Sequence, residues 1–157
     1  MIEVSVLGLA YDNNKGIPVV FLKEVDGGRI LPIWIGQNEA MAIAMGLEGI
    51  KPERPLTHNL LKSVIDGLNT SIIKIVVHEI INNTYYARIY LRAKNSITEI
   101  DARPSDSIAL AIISSVPMYV DKKVLDKGPT FRLNNPDEDL RKHFQELKIE
   151  DFGKFKL

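Results

Sequence analysis

A polar segment that leads directly into an apolar run is the feature that most constrains this chain. Residues 101–106 read Asp-Ala-Arg-Pro-Ser-Asp, and the following residues 107–113 are almost entirely apolar. Pro104 suits the first position of a helix, because that position needs no N–H and the proline φ is already helical. The proline ring pushes Arg103 out of the α region, so Arg103 fits the capping position. The segment therefore predicts that a strand ends and a buried helix begins here.

Two interpretations of this helix entrance are open. Ser105 and Asp106 would lie in the first turn, where free N–H groups and the helix dipole favour oxygen atoms and anions. In the first interpretation they only complete the helix end, and Arg103 pairs with an aspartate. In the second, Arg103 projects into a cleft together with Asp101 and Asp106, and these groups perform chemistry there.

A second arginine–proline pair precedes another helical pattern. Arg54 and Pro55 lead into apolar residues that recur at helical spacing. These residues are Leu60, Leu61, Val64, Ile65 and Leu68. Thr57 is a candidate N-cap for this helix. His58 would then stand on the first turn, away from the leucines, either as a surface residue or as a chemical group.

Together, the two segments resemble the bifunctional nuclease domain family. The family pattern is roughly R-P-x-T-H-[DN]-L-L, followed later by D-A-R-P-S-D-[AS]-I-A-L-A, and this chain carries the two motifs at residues 54–61 and 101–111. The resemblance extends over about residues 1–128 and includes the segment 31–36. Many members carry Asp after the motif histidine, whereas this chain carries Asn59, which weakens any metal-ligand role at that position.

The resemblance implies hydrolysis of phosphodiester bonds in DNA and RNA. Metal-assisted hydrolysis needs carboxylates to hold Mg²⁺ or Mn²⁺, and Asp101 and Asp106 are the expected ligands. His58 is expected as an additional ligand or as the general base. Arg54 and Arg103 would hold the scissile phosphate with their planar guanidinium groups. A metal-free scheme would use His58 as base and the arginines to stabilise charge. Both schemes need the two helix entrances to converge.

A second candidate surface lies in residues 84–93, which alternate with the period of a strand. The core-facing residues are expected to be Tyr85, Ala87, Ile89, Leu91 and Ala93. The opposite face would carry an aromatic–basic stripe, which consists of Tyr86, Arg88, Tyr90 and Arg92. Such a stripe can bind single-stranded nucleic acid, with bases stacked on the tyrosines. A solvated face and a subunit contact rich in Tyr and Arg are the alternatives.

The preceding strand sets the register of this hairpin. If Ile73, Ile75 and Val77 face the core, the loop around Asn82-Asn83 has about three residues, because a slip by one residue exchanges the faces of a strand. Lys74 and His78 would then lie beside the aromatic–basic stripe.

Composition excludes several classes of protein. The chain has 20 basic and 20 acidic residues, so no overall positive field attracts phosphates. The absence of cysteine excludes disulfides, thiolate zinc sites and cysteine nucleophiles. No signal peptide or membrane-spanning run is recognisable, so we expect a cytoplasmic protein without membrane contact. No Walker loop, dinucleotide-binding fingerprint or nucleophile elbow is present, and no organic cofactor is expected.

The predicted fold is α+β, with a mostly antiparallel or mixed sheet built from hairpins and with interspersed helices packed on it. We expect a bifunctional-nuclease-like domain at residues 1–128 and a charged C-terminal helix or tail at 129–157, in which residues 137–147 form either a peripheral helix or a flexible tail. Two functions are open. The first is a nuclease, and the second is a non-catalytic dimeric module that binds an anion or a partner and regulates. A homodimer is the expected oligomer.

Overall fold

A computed structural model of the 157-residue chain describes residues 1–134, 145–146 and 149–152. Within these residues nine strands form one sheet. The strands are β1 (Ile2–Asp12), β2 (Ile17–Glu24), β3 (Arg29–Trp34), β4 (Thr70–Ile81), β5 (Thr84–Ala93), β6 (Ser96–Ala102), β7 (Met118–Val120), β8 (Phe131–Arg132) and β9 (Gln145–Glu146). The helices are α1 (Gln37–Leu47), α2 (Thr57–Gly67), α3 (Pro104–Ser114) and α4 (Lys122–Lys127). A 3₁₀ turn covers Ile149–Phe152.

The sheet has the strand order β6-β5-β4-β7-β1-β2-β3-β8, and β9 pairs with the far end of β1. Every pair is antiparallel except β4 with β7, which is parallel. The predicted α+β class with a mixed sheet is therefore confirmed.

The helices pack on the sheet through two clusters of buried apolar side chains. The larger cluster joins α1, α3 and α4 to the strands, with Leu22, Ile43 and Ile108 inside it. The smaller cluster joins α3 to β4 and β5. Helices α1 and α3 approach closely at Gly46, where an added Cβ would lie 2.8 Å from Ile112 Cγ2. Because α3 contacts both α1 and α2, the two arginine–proline helix entrances lie close to each other in this layer.

The turn between β4 and β5 differs from the predicted loop. It has two residues, Asn82 and Asn83, and both have positive φ (48° and 61°), as a type I′ turn requires. The prediction of about three residues is therefore wrong. Two bulges, at Ile73 and His78, supply the register shifts that a longer loop would have supplied. The buried residues of β4 are Ile72, Ile75, Val76 and Val77.

The sheet continues past the predicted domain boundary at residue 128. Within the described residues, β8 pairs with Arg29 and Ile30 of β3 and does not reach Pro32, a residue that cannot donate a backbone hydrogen bond to a neighbouring strand. Of the segment 137–147, predicted as a peripheral helix or a flexible tail, only 145–146 are described, and they form β9; the rest lies outside the described residues. Phe152 packs against the larger core cluster. None of the described helices is long and apolar enough to cross a bilayer.

Candidate active site

The two arginine–proline helix entrances meet in space. His58 stands on the first turn of α2 and Asp106 on the first turn of α3, and His58 Nε2 lies 2.9 Å from Asp106 Oδ1. The convergence that both chemical schemes required is thus present. The cap of α2 differs from the prediction: Leu56 occupies the N-cap position and Thr57 is already helical. No side chain among the described residues caps this end by a hydrogen bond, so the N-cap role predicted for Thr57 is wrong.

Arg103 connects this pair to a third helix. It caps α3 with an extended backbone, as Pro104 at the first helical position predicts. Its Nε donates to Asp106 Oδ2 at 2.8 Å, and its Nη2 donates to Glu39 Oε1 at 2.7 Å. The Arg103 side chain is still 67% exposed. Because a guanidinium has five N–H groups, most of its donors remain available to a ligand.

Glu39 is a member of the cluster that the sequence interpretation missed. It lies in the first turn of α1, where an acidic residue is expected from the helix dipole alone. Its carboxylate packs directly over Gly36, so closely that any side chain at position 36 would collide with it. In the sequence, the only indication of this arrangement is that Gly36 stands three residues before Glu39. This spacing does not predict that Glu39 contacts Arg103.

Within the cluster, Asp106 and Arg103 shift each other's pKa values toward the ionised forms. Burial raises the pKa of Asp106, but the hydrogen bonds from Arg103 and His58 outweigh burial, so its pKa lies below the usual value. The pKa of Arg103 is raised by its hydrogen bonds to Asp106 and Glu39. Asp106 is therefore ionised at neutral pH and accepts from His58 Nε2–H. In the neutral imidazole this leaves Nδ1 as the basic nitrogen.

Asp101 does not join the cluster. In β6 its neighbours Ile100 and Ala102 pair with Ile89 and Ala87 on the helix-bearing face, so alternation places Asp101 on the opposite face, across from Arg88. The structure thus separates Asp101 from Asp106, and both oxygens of Asp106 already accept hydrogen bonds. Among the described residues no group of three or more His, Asp or Glu side chains could hold a metal ion. The predicted ligand set does not fit Mg²⁺ or Mn²⁺.

The other predicted site residues are distributed as follows. Arg54 is exposed and makes no hydrogen bond or ion pair with any described residue. Ser105 is buried and lines a cleft of about 480 Å³ that begins at Arg103. On the other side of the cluster, His58 and Asn59 line a pocket of about 240 Å³ between α1, α2 and α3. The site therefore has one opening on the arginine side and one on the histidine side.

The aromatic–basic stripe lies on the sheet face that the helices leave uncovered, as the alternation predicted. Arg88 pairs there with Glu99 at 3.0 Å, and Lys74 Nζ lies 4.6 Å from the Tyr90 ring centroid. His78 belongs to the same face: burial and the charge of Arg88 lower its pKa, and Nε2 is buried without a partner among the described residues. Tyr86 and Arg92 are exposed. The stripe and the His58–Asp106 pair are therefore on opposite sides of the sheet.

The sequence profile of the bifunctional nuclease domain matches residues 20–131, which include both motifs and all four residues of the cluster. The chain belongs to the bifunctional nuclease domain family. The match begins within β2 and ends at the first residue of β8, so it includes strands β3 to β7 as well as the two helix entrances.

The family includes relatives of very different length. The chain is similar to "Uncharacterized protein Rv1829" of Mycobacterium tuberculosis (strain ATCC 25618 / H37Rv), with 37% identity over 98% of this chain and 92% of that protein. It is also similar to "Bifunctional nuclease 1" of Oryza sativa subsp. japonica, at 27% identity, and of Arabidopsis thaliana, at 26%. Both matches cover 67% of this chain, but only 33% and 34% of the plant proteins. The chain thus spans about a third of these plant relatives.

Proposed function

We propose that this protein hydrolyses phosphodiester bonds in DNA and RNA, with His58, Asp106 and Arg103 at the reaction centre. The observation that carries the proposal is the hydrogen bond between His58 and Asp106, which joins the two family motifs beside an exposed guanidinium. The names of the plant relatives, both "Bifunctional nuclease 1", support the same kind of activity.

The geometry supports a scheme in which His58 is the base. Ionised Asp106 holds the imidazole with Nε2–H toward the carboxylate, so Nδ1 can take a proton from an attacking water. Water is the nucleophile that serves both polymers, because DNA has no 2′-OH. The water oxygen bonds to phosphorus, and the bond from phosphorus to the leaving sugar oxygen on the opposite side breaks. That oxygen takes a proton from solvent, and His58 returns its proton to solvent. Arg103 stabilises the charge that develops on the non-bridging oxygens.

The two carboxylates that contact Arg103 determine which of its N–H groups can bind a phosphate. Asp106 and Glu39 occupy two directions of the guanidinium fork, and the remaining N–H groups face solvent and the cleft. Because the chain has no net charge, a nucleic acid would be held by this local site rather than by a broad positive field. We therefore expect modest affinity that decreases steeply with salt.

The decisive experiment measures cleavage of labelled single- and double-stranded DNA and RNA at low salt, with Mg²⁺, with Mn²⁺ and with EDTA. Asp106→Asn and His58→Ala are compared with Asp101→Asn, which changes the same residue type on the opposite sheet face. We expect the Asp101 variant to retain activity and the other two to lose about 100-fold or more. Equal traces of cleavage in all four proteins would indicate contamination and remove the proposed function.

The EDTA arm separates the two chemical schemes. Cleavage that persists in EDTA supports His58 as the base without a metal. Cleavage that EDTA abolishes and that Mg²⁺ or Mn²⁺ restores would show that a metal is needed. Asp106 would then have to exchange one of its present partners for the ion.

We also propose that the chain forms a homodimer through α2, an association that either a nuclease or a non-catalytic anion- or partner-binding module could use. The observation in favour is the apolar face of α2, none of whose residues is buried within the described part of the chain. The exposed fractions are 56% for Leu60, 42% for Leu61, 49% for Val64 and 71% for Leu68.

The size and charge of this face fit a second copy of the chain. The four side chains expose roughly 400 Å² of apolar surface, within the range that marks interaction sites on monomers. Two such faces with their polar rims approach the roughly 1,200 Å² at which specific interfaces begin. The charged pair on α2, Lys62 with Asp66, is neutralised within the helix, so the face offers no net charge to a charged partner.

Light scattering coupled to size exclusion tests the dimer. Wild type is expected as a dimer and Leu61→Glu with Leu68→Glu as a folded monomer. Arg88→Ala with Arg92→Ala, on the aromatic–basic stripe, is the control and should remain dimeric. A monomeric wild type at high micromolar concentration would refute the association, and a monomeric stripe variant would move the interface to the other face.

A further inference from the structure

A cleft extends from Arg103 in the direction away from His58. Its walls are the tips of two hairpins: the β1–β2 tip contributes Ile17, and the β4–β5 turn contributes Asn83 and Tyr85. Trp34, at the end of β3, lines the same space, which has a volume of about 480 Å³. A neighbouring pocket of about 390 Å³ shares these four residues and adds Lys15, Ile80 and Pro129. The two spaces form a region lined by aliphatic and aromatic side chains together with amide and cationic groups.

We propose that this cleft binds the base and sugar of the nucleotide next to the phosphate held at Arg103, so that the protein prefers single-stranded nucleic acid. The proposal rests on the proposed function, because it assigns the substrate class of the same site. Each part of the cleft matches one part of a nucleotide, with Arg103 for the phosphate and the aromatic end for the base.

Trp34 has the features of a stacking platform. Its indole Nε1 donates to Asp12 Oδ2 at 2.8 Å, which fixes the ring. The other oxygen of Asp12 accepts from the backbone N–H groups of Asn14 and Lys15, so one carboxylate holds both the ring and the hairpin tip. Lys15 Nζ lies 3.6 Å from the ring centroid, so this face of the indole is covered by a flexible cationic side chain at the edge of the cleft. A base can stack on that face once the flexible lysine moves aside.

Asn83 supplies the polar group at the aromatic end. It occupies the second position of the two-residue turn with φ of 61°, and its exposed amide borders both spaces. An amide can donate to and accept from the edge of a base. Each of the two volumes, about 480 and 390 Å³, is within the range of about 300–1,000 Å³ that small-molecule sites occupy. A base in a duplex is stacked and paired, so only an unpaired base can enter, and this is the origin of the expected single-strand preference.

The sequence offers a direct reporter, because Trp34 is the only tryptophan. Intrinsic fluorescence of the full chain is followed while adenosine 5′-monophosphate, ribose 5-phosphate or inorganic phosphate is added. We expect saturable quenching by the mononucleotide and no saturable change with the other two.

A matched pair of variants locates the contact. Asn83→Gly removes the amide and suits the turn, and should weaken binding about three- to ten-fold. Asn82→Gly alters the same turn outside the cleft and should leave binding unchanged.

The outcomes separate this inference from the proposed function. If wild type cleaves nucleic acid but the mononucleotide leaves Trp34 fluorescence unchanged, the cleft assignment fails and the nuclease stands. Quenching by the mononucleotide without any cleavage would support the cleft and refute hydrolysis. Equal quenching by inorganic phosphate would show a simple anion site and overturn the base contact. Equal cleavage rates on single-stranded and duplex substrates would overturn the strand preference.

Discussion

His58 and Asp106 are 48 residues apart in the chain, yet their side chains are joined by a hydrogen bond of 2.9 Å. Each comes from the first turn of a helix that has an arginine–proline pair at its N-terminal end. His58 belongs to α2 and Asp106 to α3. The hydrogen bond therefore forms only because these two helices pack side by side. Because α2 buries none of its residues within the described chain, an association that covers its apolar face would also hold His58 in place.

Glu39 should act as a positioning residue. Glu39→Gln keeps the shape of the side chain but removes the charge that holds Arg103 Nη2. Because Arg103 is largely exposed, the free energy of unfolding should change by less than about 1 kcal/mol. A misplaced guanidinium should nevertheless reduce kcat roughly ten-fold. Cleavage assays and urea denaturation on the same preparations measure both effects.

Glu53→Gln, in the exposed loop before α2, is the matched control and should behave as wild type in both assays. If Glu39→Gln also cleaves at the wild-type rate, Asp106 alone positions Arg103 and Glu39 has no part in the site.

Gly36→Ala should also disturb the contact between Glu39 and Arg103. The backbone at Gly36 has φ of −74°, which any residue adopts, so the backbone itself is not strained. The added methyl would meet the Glu39 carboxylate and displace it from Arg103. We expect a loss of activity similar to that of Glu39→Gln, and little further loss when both changes are combined, because they act on one contact.

Gly67→Ala serves as the comparison for Gly36→Ala. A Cβ at Gly67 meets no described atom within 4 Å, and the site is at the end of α2. Activity should be unchanged there, and helix stability should rise by up to about 1 kcal/mol. Additive losses in the Gly36→Ala, Glu39→Gln double variant would argue against a shared contact.

Acid should weaken the fold through Asp106. Burial raises its pKa, but the hydrogen bonds from Arg103 and His58 prevail and the folded-state pKa is lowered. Its contribution to stability is therefore present above the unfolded carboxyl pKa of about 3.9 and is lost as pH falls through the lower folded value. Asp106→Asn should cost about 1–2 kcal/mol at pH 7 and progressively less below about pH 4.

Urea midpoints of wild type and Asp106→Asn at a series of pH values measure this effect, with Asp101→Asn as the control. A difference between wild type and Asp106→Asn that stays constant from pH 7 to pH 3 would show that the carboxylate charge does not carry the stabilisation.

Local sequence patterns predicted the helices and strands well, but they predicted contacts between distant residues poorly. Pro104 after Arg103 placed the start of α3 correctly, because the ring restricts both residues regardless of the rest of the fold. The alternation of side chains along β6 also indicates where Asp101 lies. Ala102 continues the apolar face of the strand, so Asp101 must point to the opposite face. Proximity in sequence to Asp106 was the misleading signal, because a strand–helix corner turns consecutive side chains to different faces.

The remaining differences arise from information that a single helix or strand does not carry. The leucines of α2 have helical spacing, but spacing cannot tell whether the apolar face packs on its own domain or remains exposed, as Leu60 and Leu68 do. Glu39 meets Arg103 only because α1 packs beside α3. In β4, the bulges at Ile73 and His78 allow a two-residue turn with the apolar residues still in the core.

The Asn82-Asn83 turn should control the stability of the β4–β5 hairpin. Both residues have positive φ, which asparagine tolerates and β-branched residues do not. Asn82→Val should therefore destabilise the protein by roughly 1–2 kcal/mol, while Asn82→Gly should be neutral or slightly stabilising. Denaturation midpoints provide the measurement. Equal stability of the valine and glycine variants would mean that the turn adopts another conformation, in which two bulges in β4 would no longer be needed to keep the apolar residues in the core.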